Sequence, residues 1–388
     1  MSRNIPFSSG GGFEIGEVVE TAETTKGGIT LLPLDGKTYL NSAYPELSAL
    51  LLAHDFSSWQ STNITQLQYK SVDADGNNVI AVSSATPSTI GEAPRYSTDG
   101  GISWNSAPPI TTASNRIYHL ACASGSNLAY IGAASGGAST RRHQGLYSTD
   151  NGSSWALTSG YPLQTNDAVP LDMCMDGNNG YVLSPNGDRR TTDAFQTVTA
   201  PSTAPSSDCL VCDISGSIVV VGGYSAFLAF SSDGGDTFAN TGTNPLNSSA
   251  NITAIAIDGT TVYVTNTLGQ IAKSTDGGST YTLLTQSIFT TSNQIVDLDV
   301  KGTTLYAFTS STLYIIASDN FVTADSTSTT SSTLTIVAKG VIAGTSASGL
   351  AFAAGTDSVT RSVKNPTSFT LPNRAGAGEI RDKIGAKV

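Results

Sequence analysis

Hydrophobic residues along this chain come in short runs of Val, Ile, Leu and Ala, and each run ends in a cluster of Gly, Ser, Thr, Asn or Asp. Such a pattern is typical of short β-strands joined by tight turns. It excludes long amphipathic helices and coiled coils, whose apolar positions recur with a helical period. The apolar runs are also frequent enough to form a core, so the pattern excludes disorder.

One stretch of the chain shows the layout of these strands clearly. The pattern predicts a strand over Ile252–Asp258, a turn at 259–260 and a second strand over Thr261–Thr265. A third strand over Gln270–Ser274 and a fourth over Thr280–Leu284 complete the unit. Four strands in roughly forty residues is the size of one blade of a β-propeller.

A short motif with an aspartate in its third position and an aromatic residue at its end recurs along the chain. The full copies cover residues 97–104, 148–155, 231–238 and 274–281, with the pairs Asp99 and Trp104, Asp150 and Trp155, Asp233 and Phe238, and Asp276 and Tyr281. Shorter copies contain Asp193 and Phe195, Asp319 and Phe321, and Asp357 alone. These aspartates are 43 residues apart on average, so the sequence predicts an all-β fold with a seven-bladed β-propeller over residues 55–365.

The chemistry of the motif suits a turn. An aspartate carboxylate accepts backbone N–H bonds across a tight hairpin, glycines adopt left-handed dihedral angles, and the aromatic residue packs between neighbouring sheets. The motif resembles the Asp-box, or BNR, repeat of sialidase-like propellers, which implies that the aspartates are structural. A calcium site is the less favoured alternative, because each turn offers one carboxylate and calcium needs several oxygen ligands. No metal and no cofactor is expected.

A sialidase-like glycosidase is the main enzymatic hypothesis. The resemblance would imply three arginines around a substrate carboxylate, a Tyr–Glu pair, a catalytic aspartic acid and an Arg-Ile-Pro sequence before the first Asp box. The chain has no Arg-Ile-Pro sequence, and Glu92 is the only glutamate in the repeats, so paired catalytic carboxylates are not indicated either. The arginines of the repeats are scattered: Arg95, Arg116, Arg141, Arg142, Arg189, Arg190 and Arg361. We predict no catalytic residues and no enzymatic activity.

The cysteines and histidines also lack the spacing of a reactive site. Cys209 and Cys212 have C-x-x-C spacing, but they lie in a predicted strand, where residues three apart point to opposite faces. Cys122, Cys174 and Cys212 fall near the ends of first strands, as Ala256 does, which favours buried small residues over a zinc or redox site. The three histidines, His54, His119 and His143, are isolated from one another in sequence.

The two ends of the chain depart from the repeat pattern. Near the N-terminus the sequence predicts a short strand around residues 15–19, a turn, and a short helix that begins at Tyr44-Pro45 and carries Leu47 on its apolar face. Together with Gly16, Asp35-Gly36 and Tyr39, these residues resemble the first half of a bacteriophage tail collar domain. The closing part of that family resembles residues 368–378 here, with Phe369, Leu371 and Pro372.

The resemblance therefore implies one small α+β collar-like domain, residues 1–54 with 366–388, into which the propeller of residues 55–365 is inserted. A propeller brings its two ends close together, as an inserted domain requires. The alternative is an N-terminal arm and a C-terminal tail, with no packing between residues 31–51 and 369–376. Asp55–Trp59 looks like half an Asp box, and Trp59 could close the ring of blades across the chain ends.

Composition narrows the function. The net charge is −11, with no Lys/Arg-rich segment, which argues against nucleic-acid binding. No apolar run approaches the length of a membrane span, and residues 1–7 lack the apolar core of a signal peptide. Four cysteines in 388 residues do not indicate a disulfide scaffold.

The resemblance predicts a bacteriophage virion protein of the tail or adsorption apparatus, made in the host cytoplasm. The collar-like domain would bind other virion proteins, in a homo-oligomer with a trimer favoured, and the propeller would bind a host surface glycan or protein. The candidate contact loops are Pro87–Ala93 and Gly132–Gln144. Three alternatives stay open: a structural decoration or assembly protein of the particle, a glycan-cleaving depolymerase or sialidase, and a cellular propeller similar to photosystem assembly factors that share Asp boxes.

Overall fold

The structure is a computed structural model. It describes residues 18–19, 25–26, 29–33, 38–40, 58–65, 69–83, 93–110, 116–135, 141–160, 170–185, 187–205, 209–284, 288–301, 304–309, 312–317, 326–329, 352–354, 358–363, 368–370 and 379–382. Secondary structure in these residues is β throughout, apart from a single 3₁₀ turn at Tyr224–Ala226. No helix in the described part of the chain is long and apolar enough to cross a membrane. Contacts between residues divide the chain into two compact units, Met1–Ser58 with Val363–Val388, and Trp59–Ser362.

Within the described residues, the larger unit is a succession of seven sheets, here numbered in chain order. Sheet 1 contains Tyr69–Asp75, Asn78–Ser83, Arg95–Ser97 and Asn105–Ser106; sheet 2 contains Arg116–Ser124, Asn127–Ser135, Arg141–Ser148 and Ala156–Leu157. Sheet 3 contains Asp172–Asp176, Asn179–Leu183 and Arg189–Thr191; sheet 4 contains Cys209–Ser215, Ile218–Gly223, Leu228–Ser231 and Ala239–Asn240. Sheet 5 contains Ile252–Asp258, Thr261–Asn266, Ile271–Ser274 and Thr282–Leu283; sheet 6 contains Asp297–Lys301, Thr304–Phe308, Thr312–Ala317 and Ser326–Thr329. Sheet 7 contains Phe352–Ala354, Ser358–Val363 and, from the N-terminal side of the repeats, Ser58–Thr65.

The strands of sheet 5 show why the sequence folds in this way. Ile252–Asp258 begins and ends where the apolar run predicts, and Gly259, with φ +60°, turns the chain into Thr261–Asn266. Sheets 1 to 6 each consist of consecutive antiparallel strands with the same strand order as the chain. In sheet 3 an isolated bridge between Arg190 and Thr199 takes the place of the fourth strand.

The core lies between successive sheets. The first strand of each of sheets 1 to 5 contacts the first strand of the sheet that follows, and Phe352–Ala354 of sheet 7 contacts Tyr69–Asp75 of sheet 1. Separate clusters of buried apolar side chains fill the spaces between sheets 1 and 2, 2 and 3, 3 and 4, 4 and 5, and 5 and 6. Because sheets 2 to 5 each have such a cluster on both faces, their strands are apolar on both sides, which explains the continuous short apolar runs of the sequence.

Sheet 7 is assembled from both ends of the repeat region. Ser58–Thr65 pairs beside Ser358–Val363, so a strand that precedes sheet 1 in the chain completes the last sheet. Trp59, which the sequence suggested as a closing residue, lies in this strand. Seven sheets equal the number of repeats in the sequence, whereas the count of seven blades in one ring stays a prediction.

The smaller unit joins segments from the two ends of the chain. Glu379–Asp382 lies between Val18–Val19 and Ile29–Pro33, and Thr25–Lys26 pairs on the far side of Ile29–Pro33. In a second sheet, Ser368–Thr370 pairs with Thr38–Leu40. This second pairing lies within the segments that the arm-and-tail alternative kept apart, and it contradicts that alternative. The helix predicted from Tyr44-Pro45 lies outside the described residues.

Candidate functional site

Five Asp-box turns share one hydrogen-bond pattern. In each, the carboxylate accepts a hydrogen bond from the hydroxyl two residues earlier and from the backbone N–H and hydroxyl of the residue four positions later. The aspartates with their earlier and later partners are Asp99 with Ser97 and Ser103, Asp150 with Ser148 and Ser154, Asp193 with Thr191 and Thr197, Asp233 with Ser231 and Thr237, and Asp276 with Ser274 and Thr280. The Ser/Thr positions on both sides of each aspartate are therefore part of the motif, and sequence inspection alone did not single them out. Asp319, Phe321 and Asp357 lie outside the described residues.

These hydrogen bonds favour the ionised carboxylate. At Asp99 partial burial would raise the pKa, but the hydrogen bonds from Ser103, Ser97 and Ile102 outweigh burial and hold the pKa at about 2. The hydroxyl and N–H of Thr237 lower the pKa of Asp233 below its ordinary value. A carboxylate that accepts this many internal bonds stays ionised and stabilises its turn.

The aromatic residue of an Asp box packs against the preceding sheet. The ring of Trp155 in sheet 2 lies 5.7 Å from that of Tyr96 in sheet 1, and Phe238 in sheet 4 lies 5.2 Å from Tyr181 in sheet 3. The Tyr96 ring lies so close to the Asp-box turn of sheet 2 that only glycine fits inside the turn. A Cβ on Gly152, whose φ is +82°, would lie 2.3 Å from the Tyr96 ring.

The third Asp box differs from what the sequence suggested. Phe195 was paired with Asp193 by analogy with the terminal aromatic residues of the full motifs. Phe195 instead occupies the position of the second glycine, with φ +63°, and its buried ring covers Gly180. Val198 takes the place that Trp155 has in sheet 2 and is buried in the cluster between sheets 2 and 3. The sequence signal for this exchange is the missing glycine pair after Asp193.

A second set of polar residues, which the sequence analysis missed, connects neighbouring sheets. Four first strands end in Asp or Ser, and each accepts a hydrogen bond from the hairpin glycine of the following sheet: Asp75 from Gly125, Ser124 from Gly177, Asp176 from Gly216, and Ser215 from Gly259. Asn78, Asn127 and Asn179 complete the contact by donating to the carbonyl oxygens of Gly125, Gly177 and Gly216. The signal is visible in the sequence as an Asp or Ser directly before each hairpin glycine.

One cavity lies among the first strands of sheets 1 to 6. It has a volume of about 200 Å³, and aspartates form much of its wall: Asp73, Asp75, Asp176, Asp213, Asp258 and Asp299. First strands of six successive sheets thus line one cavity. Asp73 and Asp213 accept backbone N–H bonds from Ala123 and Ile257 of the following sheets. No group of three or more His, Cys, Asp or Glu residues in the described part of the chain has the arrangement of a metal site.

The cysteines correct one expectation from the sequence. Cys209 and Cys212 were expected on opposite faces of their strand, but both are buried in the cluster between sheets 3 and 4. The register of this strand shifts between Cys209 and Val211, and the extra residue of this β-bulge reverses the alternation of side chains. Cys122, Cys174 and Cys212 are buried, as is Ala256 at the equivalent place in sheet 5.

The side chains of Arg95, Arg189 and Arg190 form local contacts. Arg190 of sheet 3 forms an ion pair with Asp236 of sheet 4 at 3.2 Å and donates to the carbonyl oxygen of Asp233. Arg189 donates to the carbonyl oxygen of Asp188, and Arg95 donates to Ser106 in its own sheet. These three guanidinium groups bond to separate partners in different sheets.

Loops at one end of sheets 4 to 6 form a connected surface. Each of these loops joins the second strand of a sheet to the third, or the end of one sheet to the first strand of the next. The Asp-box turns join third strands to fourth strands, so in antiparallel sheets they lie at the opposite end. Ala226 donates to the carbonyl oxygen of Ala250 at 2.6 Å, and Thr267 donates to that of Asn251 at 2.9 Å. Gly269 lies against the backbone of Phe289 and Thr290, where an added Cβ would be 2.7 Å from the Thr290 nitrogen.

This surface, here called the loop surface, exposes apolar side chains on a strained backbone. Tyr224, Leu268 and Val296 are 51%, 36% and 45% exposed. Ser225 and Ala226 both have φ +54°, a conformation that L-residues adopt at a cost of about 1–3 kcal/mol each. Exposed aromatic and aliphatic groups on fixed loops offer apolar area that a partner can cover. Of the loops singled out in the sequence, 84–92 and 136–140 lie outside the described residues, and Gly132–Ser135 and Arg141–Gln144 pair in the long hairpin of sheet 2.

Comparison with solved structures identifies the architecture. The structure titled "YCF48 bound to D1 peptide" matches with a TM-score of 0.54 and 14% identity, over 80% of this chain and 98% of that chain. YCF48 from Cyanidioschyzon merolae matches with a TM-score of 0.53 and 16% identity, over 79% and 98%. This chain contains a β-propeller. PorZ, a surface component of the type-IX secretion system of Porphyromonas gingivalis, matches with a TM-score of 0.52 and 12% identity over 81% of this chain and 39% of PorZ.

These matches are below the identity at which function transfers, so they establish the fold alone. No protein-family model matches the chain, and no curated protein matches its sequence.

Proposed function

We propose that this protein is a non-enzymatic bacteriophage virion protein of the tail or adsorption apparatus, whose propeller binds the host surface. The smaller unit, Met1–Ser58 with Val363–Val388 and here called the terminal unit, anchors the chain to other virion proteins and to further copies of itself. A trimer is the favoured assembly. The loop surface of the propeller binds a host glycan or protein through its exposed side chains Tyr224, Leu268 and Val296.

The observation that carries the proposal is the pairing of the chain ends. The segments that resemble the two halves of a tail collar domain are about three hundred residues apart in the sequence, yet Thr38–Leu40 pairs with Ser368–Thr370. Glu379–Asp382 likewise enters the sheet of Val18–Val19 and Ile29–Pro33. An interrupted domain whose two halves pair across a large insertion is the arrangement that the resemblance requires.

The propeller supports a binding role through its chemistry. Its Asp-box carboxylates accept several internal hydrogen bonds each, and Arg95, Arg189 and Arg190 bond within or between sheets rather than towards one cleft. The loop surface, in contrast, exposes apolar groups on loops fixed by backbone hydrogen bonds. The matching propeller titled as bound to a D1 peptide shows that this fold can hold a peptide; here the ligand class we favour is a surface glycan or protein of the host.

Adsorption competition tests the proposal. Purified full-length chain, added to host cells before the phage that encodes it, should slow adsorption in proportion to its concentration. Tyr224→Ala and Leu268→Ser should each weaken the competition severalfold, because they remove exposed apolar contact area. Leu157→Ser is the matched control, since Leu157 is 60% exposed but lies in the short outer strand of sheet 2.

Two further measurements separate the alternatives. Mass spectrometry of purified particles should detect the chain, and labelled antibodies should place it on the tail; a signal on the head, with no competition for adsorption, would identify a decoration or assembly protein. Release of sugar from host capsule or from a sialoside by the purified chain would overturn the non-enzymatic assignment.

A further inference from the structure

Two buried cysteine thiols face each other across the boundary between sheets 3 and 4. The Sγ atoms of Cys174 and Cys212 are 3.5 Å apart, and the side chains are 38 residues apart in the chain. Both residues are at most 3% exposed, and all four cysteines of the chain are thiols rather than disulfides. A disulfide requires about 2.05 Å between sulfurs, so the two atoms have to approach by roughly 1.5 Å.

The surrounding contacts hold the two thiols in this relation. Asp172 accepts a hydrogen bond from the backbone N–H of Cys212 at 2.8 Å, and Asp176 accepts one from the backbone N–H of Gly216 at 2.6 Å. These bonds flank Cys174 on its own strand and tie it to the strand of Cys212. The bulge at Leu210 then turns Cys212 towards sheet 3 rather than away from it. The proximity is therefore built into the backbone of two neighbouring strands.

A small oxidant can reach the thiols through the cavity among the first strands of sheets 1 to 6. Cys174 forms part of the cavity wall, together with Asp176 of its own strand. Asp75, Asp176 and Asp258, at the ends of first strands, also line the cavity and are partly exposed, so the cavity communicates with solvent. Cys212 is absent from the wall, which makes Cys174 the thiol that meets a solute first.

We propose that Cys174 and Cys212 are an oxidative modification site, at which a peroxide forms a disulfide between sheets 3 and 4. The Cys174 thiol gives up its proton, its sulfur attacks one peroxide oxygen and the O–O bond breaks; the departing hydroxide takes up that proton and leaves as water, so the product is a sulfenic acid. The Cys212 thiol then attacks the sulfenic sulfur, the S–O bond breaks, and a second water leaves. Two thiols are oxidised to one disulfide while one molecule of hydrogen peroxide is reduced to two molecules of water.

Such a bond would appear after the chain leaves a reducing compartment. Thiols stay reduced in the cytoplasm and are oxidised outside it. A disulfide that closes a 38-residue loop restricts the unfolded chain and stabilises the folded propeller. The inference stands on the thiol geometry, so it does not depend on the proposed virion role.

Peptide mapping of the folded, full-length protein tests this inference. After treatment with hydrogen peroxide and alkylation of remaining thiols, trypsin should release His143–Arg189, which contains Cys174 alone, linked to Thr191–Lys273, which contains Cys209 and Cys212. The linked species should have two hydrogens fewer than the two peptides together and should separate on reduction. The Cys209→Ala variant should keep the link, and the Cys212→Ala variant should lose it.

Thermal unfolding gives an independent readout. Oxidation should raise the unfolding midpoint of the wild type and of the Cys122→Ala control by on the order of 5 °C, and dithiothreitol should reverse the shift. Cys174→Ala and Cys212→Ala should show no such rise. Absence of the linked peptide in the wild type, or its formation only after unfolding in urea, would overturn the proposal without reference to any variant.

Discussion

Tyr39 and Phe369 are partners in an antiparallel β-pair, although 329 residues separate them in the chain. Their neighbours Thr38 with Thr370 and Leu40 with Ser368 extend the same register. Both aromatic residues belong to the segments that resemble a tail collar domain. The unit formed by the chain ends therefore needs the strand Ser368–Thr370, which follows the propeller, to pair with Thr38–Leu40, which precedes it.

Truncation after residue 365 should therefore damage the terminal unit selectively. The deletion removes Ser368–Thr370 and Glu379–Asp382, which pair with three N-terminal strands. Residues 1–58 should become sensitive to protease, while the fragment of residues 59–362 stays resistant because its own core is untouched. Limited proteolysis followed by mass spectrometry measures both fragments. Equal protection of residues 1–58 in the full and truncated chains would contradict the pairing.

Removal of one Asp-box carboxylate should destabilise the propeller modestly. Asp233 accepts bonds from Asp236 N–H, from the N–H and hydroxyl of Thr237, and from the hydroxyl of Ser231. Asp233→Ala should lower the free energy of unfolding by about 1–2 kcal/mol, measured by urea denaturation. Ser232→Ala, at an exposed neighbouring position, is the control and should be within about 0.5 kcal/mol of wild type. Equal effects of the two variants would show that the carboxylate does not stabilise its turn.

The stability of the folded protein should also fall in acid, because protonation of the Asp-box carboxylates weakens the hydrogen bonds that they accept. The pKa of Asp99 is about 2 in the folded protein, because hydrogen bonds outweigh partial burial, whereas an unfolded aspartate titrates near 3.9. A lowered folded pKa contributes stability above the unfolded pKa, and this contribution disappears as pH falls through the folded pKa. The thermal midpoint should decline from about pH 4 towards pH 2, and Asp99→Asn should reduce the slope in that window.

Two glycines with similar backbone angles should respond very differently to alanine. Gly152 has φ +82°, and a Cβ there would lie 2.3 Å from the Tyr96 ring; Gly76 has φ +62° with no atom within 4 Å of the added carbon. Gly76→Ala should cost about 1 kcal/mol through the left-handed conformation alone. Gly152→Ala should cost about 3 kcal/mol or more, because backbone strain and overpacking add. Calorimetry of both variants gives the comparison, and similar midpoints would contradict the packing of Tyr96 on this turn.

Much of the propeller could be predicted from local sequence. The apolar runs predicted the strands of sheet 5, which the structure shows within a few residues, and the Asp-box spacing predicted a propeller, which the comparisons support. Short apolar runs, turn glycines and a carboxylate that bonds to its own turn are all encoded within a few neighbouring residues. The virion role, the partners and the assembly stay predictions.

Other features depend on residues far apart in the chain and were missed or misplaced for that reason. Asp75 stabilises a glycine 50 residues away in the next sheet, and no local pattern indicates the partner. Phe195 fills a glycine position because Gly180 on a neighbouring strand leaves space for its ring. The opposite-face expectation for Cys209 and Cys212 failed because one bulged residue reverses the alternation of a strand.

By itself the sequence determined the strand-rich fold, the repeat length and the turn chemistry, because these depend on interactions between residues close together in the chain. Only the tertiary structure decided which strand completes sheet 7, that Tyr39 pairs with Phe369, and that Cys174 lies 3.5 Å from Cys212. Each of these relations closes a long loop, and the free energy that fixes it comes from the packing of whole sheets rather than from local propensity.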